Sequence, residues 1–584
     1  MATDIEQIDL DNAELQQALQ IIQYTRRSLF LTGKAGTGKS TFLRYICANT
    51  KKKHVVLAPT GIAAINAGGS TLHSFFKLPF HPLLPNDSRY NMRNIRETLK
   101  YSGEKRKILR EVELIIIDEI SMVRSDIIDF IDKVLRIFCR NMREPFGGKQ
   151  LLLVGDIYQL EPVVREEDRQ LLRPFYPSSF FFDARVFREM QLVSIELRKV
   201  YRQSDPVFIN ILDHIRTSQV NAPDLQLLNA RVDRRTKEEL REKADDGQMK
   251  ITLSTRRDTV DFINEQALND LPGAPTMFEG VIKDDFPESS LPTPKELYLK
   301  PGAHIIFIKN DMEKRWVNGT LGIVEAIGEE EGVIWVVTED GQEYEVERDR
   351  WANVRYTFNE KEQKIEEEEI GVYIQFPIRL AWAITVHKSQ GLTFNNVRID
   401  FTGGVFAGGQ TYVALSRCRS LEGITLKEPI RREDVFVKPE VVSFASRYND
   451  HNIIQAALSE SKADKEYNDA VRAFDDGDMD TFLKNFFLAI HSRYDIEKPH
   501  VKRLIRRKLN IINRQRTEIE QLREEKKKRD DFLKQLAAEY SILGKECEKE
   551  GMREAAIKNY EKALQLYPDA PEPRKRLKKL KKNG

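Results

Sequence analysis

The chain is poor in cysteine, has no long hydrophobic run and carries almost no net charge. Its four cysteines (Cys47, Cys139, Cys418, Cys547) are scattered over 584 residues, with no CxxC pair and no histidine at zinc spacing. This excludes a disulfide scaffold and a cysteine-ligated metal module, and fits reduced thiols in a cytosolic protein. No apolar stretch reaches the roughly 18 residues that a spanning helix needs, which excludes an integral membrane protein. The opening MATDIEQIDL carries acids and no base, so no signal or transit peptide is expected. No nuclease motif is present.

What is there is a large, charged, foldable chain. Hydrophobic residues make up 41% and charged residues 32%, enough for several buried cores. The net charge of +2 conceals an asymmetry: residues 501–584 hold 25 Lys/Arg against 14 Asp/Glu, a surplus of +11 that leaves −9 for the rest. A basic tail on a mildly acidic body points to an anionic partner for the tail, or to a solvated helical surface.

The first part, to about residue 190, alternates helical stretches with SLFLTG (28–33), HVVLAPT (54–60), VELIIIDE (112–119) and QLLLVGD (150–156). Runs apolar on both faces are buried parallel strands, and their spacing implies βαβ units in a doubly wound sheet. The same grammar resumes over 191–295 and 376–447, with KITLST (250–255) and NNVRIDF (395–401) as its clearest strands. Between them, 296–375 alternates at period two and is broken by Asn318-Gly319 and Asp340-Gly341, the signature of hairpins and of a small antiparallel barrel. The remainder, 448–584, is helical and charged. Its stretch LGKECEKEGMREAAIKNYEKALQLYP resembles one tetratricopeptide repeat, too few to stand alone and so a candidate contact for a protein partner.

GKAGTGKS (33–40) follows a strand and precedes a helical run, which is the context a phosphate-binding loop requires. Gly33, Gly36 and Gly38 let the backbone curl, so that the N–H groups of Ala35, Thr37, Lys39, Ser40 and Thr41 can face phosphate oxygens. The helix starting there adds its positive end. Lys39 neutralises the β- and γ-phosphates, and Ser40 ligates magnesium. IIIDEIS (115–121) ends an apolar strand with two acids: Asp118 would hold magnesium and Glu119 would polarise the attacking water. Gln159, in LVGDIYQLEPV, ends the next strand, where it could orient that water. The site calls for ATP and Mg2+.

APTGIAAINAGGSTLHSFF (58–76), GDIYQLEPV (155–163), ELRKVYRQSDPVFINILDHIR (196–216), LAWAITVHKSQGLTF (380–394) and TYVALSRCRS (411–420) occur in this order. With the phosphate-loop motifs, they resemble the PIF-type helicases of superfamily 1B, named for petite integration frequency, over residues 10–447. The resemblance implies two tandem RecA-like sheets (1–190, and 191–295 with 376–447), an SH3-like insertion at 296–375, and ATP between the two sheets. A wedge at about 77–92 would split the duplex. It implies that Arg202 and Arg417 are arginine fingers, that Gly391 lies near the phosphates, and that Gln16, weakly, reads the adenine. Thr393 stands where many relatives carry a ribose-binding Glu. Pro59, Thr60, His73, Ser74 and Phe75 in one block, and Thr385, His387, Lys388 and Ser389 in the other, would line the path of a single strand. The alternative place for Phe75 or Phe76 is the core of the first sheet.

The implied activity is a monomeric DNA helicase moving 5′ to 3′ on single-stranded DNA and at junctions with duplex, in repair, recombination, replication or telomere-like maintenance. It is expected in a bacterial cytoplasm, at the nucleoid. An RNA helicase of superfamily 1, a transposon-encoded relative, and an ATP-regulated nucleic-acid-binding scaffold remain the other readings.

Overall fold

A computed structural model describes residues 9, 11–79, 81–203, 205–233, 249–328, 332–359, 364–493, 497 and 499–582. They form two compact units, Met1–Asn485 and Phe486–Gly584.

In the first unit, β1 (Leu29–Gly33), β2 (His54–Ala58), β3 (Ser70–Thr71), β4 (Leu114–Ile117), β5 (Gln150–Val154) and β6 (Val193–Leu197) form a parallel sheet in the order β3-β2-β4-β5-β1-β6. The Val/Ile/Leu runs that predicted these strands are buried on both faces, so helices must cover both. β6 pairs along the whole of β1, from Leu29↔Val193 to Gly33↔Leu197. The first sheet therefore runs past residue 190, because the alternating burial of VSIEL suits an edge strand and hid it from a search for continuous apolar runs.

A second parallel sheet, in the order β18-β7-β19-β20, comprises β7 (Ile251–Ser254), β18 (Ala383–Thr385), β19 (Val397–Asp400) and β20 (Ile424–Leu426). Between β7 and β18 lies the antiparallel insertion. Its five-stranded sheet joins β11 (His304–Phe307), β12 (Leu321–Gly328), β13 (Val333–Thr338), β14 (Glu343–Val346) and β17 (Ile378–Leu380). Asp340-Gly341 makes the expected tight turn: Gly341 N–H donates to the Thr338 carbonyl at 2.9 Å. Asn318-Gly319 instead closes a longer loop between β11 and β12. The insertion also begins earlier than residue 296. Strands β8 (Thr276–Glu279) and β9 (Val281–Asp284) pair with β10 (Glu296–Leu299) and β16 (Lys364–Gln375) respectively.

β15 (Asp349–Asn359) and β16 form a long arm that reaches the first sheet. The Tyr356 hydroxyl accepts from Val56 N–H at 3.0 Å and donates to the Val56 carbonyl at 3.1 Å, so a side chain takes the place of a strand neighbour. The segment at 77–92 is pinned rather than free: Leu78, Leu83 and Tyr90 are buried, and Leu83 N–H donates to Asp126 at 2.8 Å.

The motor does not stop near residue 447. Phe444 stacks on Phe182 with ring centroids 4.3 Å apart, and Asn449 N–H donates to the Ser194 carbonyl on the open edge of β6. The helix His451–Asp475 then buries Ile454 and Ala457 against Leu15, Ala18, Ile21 and Ile22 of the helix Ala13–Tyr24. Arg27 binds Glu460 through two hydrogen bonds of 2.6 and 2.8 Å. The buried apolar positions of this helix are mostly alanines in a charged sequence, so composition alone read as tail.

The second unit is helical: Pro499–Lys549, Arg553–Leu566 and Pro571–Lys582. Gly544 lets the first of these approach the second, since a Cβ there would sit 2.7 Å from the Tyr560 ring. Tyr560 and Arg576 both bind Glu548, at 2.9 and 2.8 Å, which ties all three helices together.

Removing residues 448–584 should therefore cost more than removing 486–584. Burial of Ile454 alone is worth about 1.5–3 kcal/mol. In thermal unfolding, a chain ending at 447 is expected to melt several degrees below one ending at 485; coincident midpoints would show that the helix adds no stability.

Candidate active site and strand channel

The phosphate loop is built by close approach. Gly33 leaves β1 with φ 154°, and a Cβ there would meet the Leu197 carbonyl at 2.8 Å. Gly36 has φ 80°, and its missing Cβ is replaced by the Arg202 side chain, which a Cβ would meet at 2.4 Å. The helix Lys39–Asn49 starts directly after Gly38, with Ser40 exposed at its first turn. Buried Thr37 is spent locally, donating to the Lys34 carbonyl at 3.0 Å. Ala35 N–H donates to the Tyr412 hydroxyl at 3.0 Å, and Tyr201 N–H donates to the Gly36 carbonyl at 2.8 Å. Lys39 folds back to donate to the carbonyls of Gly33 and Lys34, at 2.7 and 2.9 Å. Burial lowers its pKa to about 8 against the opposing pull of Asp156 and Glu119, so an arriving anion would strengthen its charge.

Asp118 and Glu119 leave β4 at the carboxyl edge of the sheet, where ligands bind in open α/β folds. Glu119 has φ 49°, and its N–H donates to Asp118 Oδ1 at 2.9 Å. Burial first, and the neighbouring Asp118 second, raise the Glu119 pKa to about 7. Gln390 donates through Nε2 to Glu119 Oε2 at 2.9 Å and to Gln159 Oε1 at 3.2 Å. Gln159 in turn donates to Asp156 at 3.3 Å. The sequence reading placed Gln159 here but missed Gln390, although it stands beside Gly391 in the same quoted stretch.

Arg417 is 1% exposed and is held entirely by uncharged groups. Nε donates to the Val413 carbonyl at 2.9 Å, Nη2 to Ser416 Oγ at 2.8 Å, and Nη1 to the Ser389 and Leu392 carbonyls at 3.4 and 3.3 Å. Burial, then the nearby Arg202, lower its pKa to about 9. Arg202 has a buried Nη1 with no hydrogen-bond partner. Two desolvated guanidinium groups and a desolvated lysine, one with an orphaned donor, fit a polyphosphate between them. Arg216 contrasts with them: it binds Asp156 at 3.1 Å and Glu196 at 2.9 Å, a strut that the sequence reading also missed, although Arg216 and Glu196 lie in 196–216 and Asp156 in 155–163. Among the described residues, no group of three or more His, Cys, Asp or Glu could cage a metal. One carboxylate (Asp118) and one hydroxyl (Ser40) suit a magnesium ion that rides on nucleotide phosphates.

Tyr201, 48% exposed, stands at the mouth of the loop; its ring would lie 3.8 Å from a Cβ on Gly38. Its hydroxyl donates to Asp9 at 2.8 Å. This flat apolar face suits a purine ring. Gln16, the weaker sequence candidate, lies exposed on the helix Ala13–Tyr24. Gly391 has φ 84° with open space where a side chain would be.

The strand-channel candidates divide. Exposed Thr60 caps the helix Gly61–Ala67, just after half-buried Pro59. Exposed Ser74 and half-buried His73 lie on the helix Leu72–Phe76. Burial, with Arg124 nearby, lowers the His73 pKa. Phe75 is corrected: at 3% exposure it is a core residue, edge-on to Phe76 and Tyr356 and capped by Lys105 Nζ 3.2 Å from its centroid. Ser389 is corrected too. It is 0% exposed and its hydroxyl donates to the Val386 carbonyl at 2.8 Å, so it shapes the turn instead of facing a strand. Thr385, 8% exposed, accepts from Lys388 N–H at 3.2 Å. That leaves His387, half-buried, and Lys388, exposed, at the surface of this block.

Comparison with known proteins bears on this geometry directly. Residues 11–225 match the family model described as PIF1-like helicase. The chain is 34% identical over 407 residues to the ATP-dependent DNA helicase PIF1 of Homo sapiens, covering 68% of this chain and 58% of that one. It is 30% identical over 452 residues to ATP-dependent DNA helicase Pif1 of Bdellovibrio bacteriovorus, covering 76% and 93%. Among solved structures, Bacteroides sp Pif1 in complex with ADP-AlF4 superposes with a TM-score of 0.68 at 42% identity, over 76% of this chain and 98% of that chain. The same Pif1 bound to ssDNA superposes with a TM-score of 0.54. The chain thus spans only about 58–65% of the vertebrate relatives it matches, but nearly all of the bacterial ones. Family model, bacterial relatives and the cleft between two parallel sheets agree: the chain belongs to the PIF1-like helicase family.

Proposed function

We propose that the protein is an ATP-driven DNA translocase that unwinds duplexes by moving 5′ to 3′ along a single strand. The observation that carries this reading is the Gln390 link. One turn, VHKSQG, turns His387 and Lys388 outward and holds the first sheet's catalytic carboxylate through the next residue but one. A strand bound on its outer side and a nucleotide bound on its inner side then share one rigid element.

ATP, once bound, supplies the phosphoryl group whose transfer to water drives the cycle. Lys39 and the loop N–H groups hold its phosphates, and Ser40 with Asp118 would hold magnesium. Glu119, oriented by Gln390, takes a proton from the attacking water. Its raised pKa places it close to the working pH, where a general base is most effective. Arg202 and Arg417 face the charge that develops in transfer, a role worth roughly 10³–10⁵ in rate elsewhere. The segment 77–92 is the wedge, the pinned loop against which a duplex splits. The protein acts as a monomeric motor in a bacterial cytoplasm at the nucleoid, and no described helix is long and apolar enough to cross a membrane. The basic second unit adds non-specific affinity for DNA or docks a protein partner.

Glu119→Gln should bind ATP and fail to hydrolyse it, because only proton acceptance is removed; wild-type turnover would unseat Glu119 as the base. The same substitution has a readout in stability. A carboxyl whose pKa rises from an ordinary 4.5 to about 7 on folding carries a penalty that is absent below 4.5, grows as pH rises and is complete above 7. Relative to wild type, Glu119→Gln should be more stable at pH 8 than at pH 4.5, by on the order of 3 kcal/mol. A pH-independent difference in melting would contradict the buried-carboxyl assignment.

Polarity has its own test. Partial duplexes with a 5′ single-stranded tail should be unwound with ATP, and those with only a 3′ tail should not. Unwinding from 3′ tails alone would remove the assigned direction, and equal hydrolysis with and without single-stranded DNA would remove the translocase.

A further inference from the structure

Phe406 lies at the tip of FTGGVFAGG (401–409) and is 63% exposed. Exposure of one apolar side chain signifies little by itself; the way its backbone is held is what sets it apart. Gly403 and Gly404 both have φ 88°, and their carbonyls accept from Arg256 Nη2 at 3.1 Å and Thr255 Oγ1 at 3.3 Å. The N–H groups of Phe406 and Ala407 both donate to Gln410 Oε1, at 3.1 and 3.2 Å, and Gln410 is fully buried. Gly409 has φ 82° and lies so close to the Tyr158 and Gln159 carbonyls that a Cβ would meet them at 2.4 and 2.1 Å. The loop is thus anchored at both ends and under its tip, yet the ring it carries is left in water.

The ring faces the strand-channel block. Phe406 lies 6.4 Å from His387, centroid to centroid, with the planes 19° apart. The neighbourhood is cationic: burial first, then Arg379 and Arg257, lower the Lys388 pKa, which places three positive groups together with Asp261 as the acid among them. Arg379 has a buried Nε with no hydrogen-bond partner. Cations beside a near-parallel aromatic pair are the composition of a single-strand path.

We propose that Phe406 is the base-stacking platform of the second sheet: a base of the tracking strand lies on its open face and extends the His387–Phe406 stack, while Lys388 and Arg379 take adjoining phosphates. This rests on the single-strand reading above. It fills the role that Phe75, buried in the first core, does not. Stacking uses the face that every base shares, so the platform tolerates any sequence.

Binding of the full chain to a labelled oligo-dT, and to the same length of abasic backbone, tests it by fluorescence anisotropy. Phe406→Ala should weaken oligo-dT binding about 5- to 100-fold, and Phe406→Trp should restore it. Wild type and Phe406→Ala should bind the abasic strand equally. The tryptophan emission of Phe406→Trp, isolated by difference from wild type, should be quenched by oligo-dT and not by the abasic strand. Equal binding of oligo-dT by wild type and Phe406→Ala overturns the proposal. So does an identical loss on both strands, because the ring would then act through packing. If the alanine variant misfolds, unquenched emission of the tryptophan variant at saturating oligo-dT overturns it alone. Wild type that binds no oligonucleotide would instead bring down the single-strand reading, and the platform with it.

Discussion

Arg202 and Arg417 enter the cleft with their charges out of water and with uncharged partners. Carbonyl and hydroxyl oxygens satisfy the donors of Arg417, and one donor of Arg202 stays orphaned. A desolvated cation with no carboxylate among its hydrogen-bond partners is costly, and the cost falls when a polyanion arrives. The two arginines and Lys39 therefore form a seat whose energy favours the liganded arrangement. Arg216 shows what a structural arginine looks like in the same cleft. Burial opposes its charge, but Asp156 and Glu196 hold its pKa raised: its Nε is also buried without a partner, yet its charge is already matched by carboxylates.

The rest of the site follows from how that seat is held. The carbonyls of Ser389 and Leu392 orient Arg417, Gln390 between them orients Glu119, and half-buried His387 and exposed Lys388 lie at the surface of the same turn. The six consecutive residues from His387 to Leu392 thus hold Arg417 and Glu119 and supply a side chain at the surface, which would join the proposed strand site to the proposed nucleotide site. Buried Ser389 belongs to this account: its hydroxyl fixes the turn so that its carbonyl can accept from the finger. Such a turn cannot shift on one side without shifting on the other, which is how the proposed strand and nucleotide sites would be coupled.

How much of this a sequence discloses depends on the range of the interaction. The phosphate loop, the two acids after β4 and the parallel strands are local patterns, and the structure forms them at the residues that spell them. Phe75 and Phe76 were ambiguous because a buried aromatic and a stacking aromatic look alike in one dimension; the arm residue Tyr356, almost three hundred positions away, decides between them. Gln390 and Arg216 lay inside the quoted motifs but have partners on other elements. The ends of the motor were misjudged for two different reasons. β6 is an edge strand, buried on one side only, and the helix His451–Asp475 packs mainly through alanines. Both escape a search tuned to large apolar runs.

The braces outside the motifs give the cleft a frame to work against. Tyr356 fastens the insertion's arm to Val56, and β2 ends at Ala58, just before Pro59 and Thr60, the first sheet's share of the proposed strand path. Asn449 covers the free edge of β6 while its side chain accepts from Glu196 N–H at 2.9 Å, next to the strut formed by Arg216. Each brace is attached to the first sheet close to a working residue, but neither enters the cleft. The groups that cross the cleft include Gln390 on Glu119, Tyr412 on Ala35, Arg202 against Gly36, Gly409 on the Tyr158 and Gln159 carbonyls, Arg216 on Asp156 and Glu196, and Lys34 on Asp213. Most are polar contacts of single side chains, and the apolar packing across the cleft is small, with Ala35 and Leu160 reaching the second core. A cleft joined in this way parts by breaking a limited set of hydrogen bonds and ion pairs, while most of the buried Val, Ile, Leu and Phe on either side stay packed within their own cores.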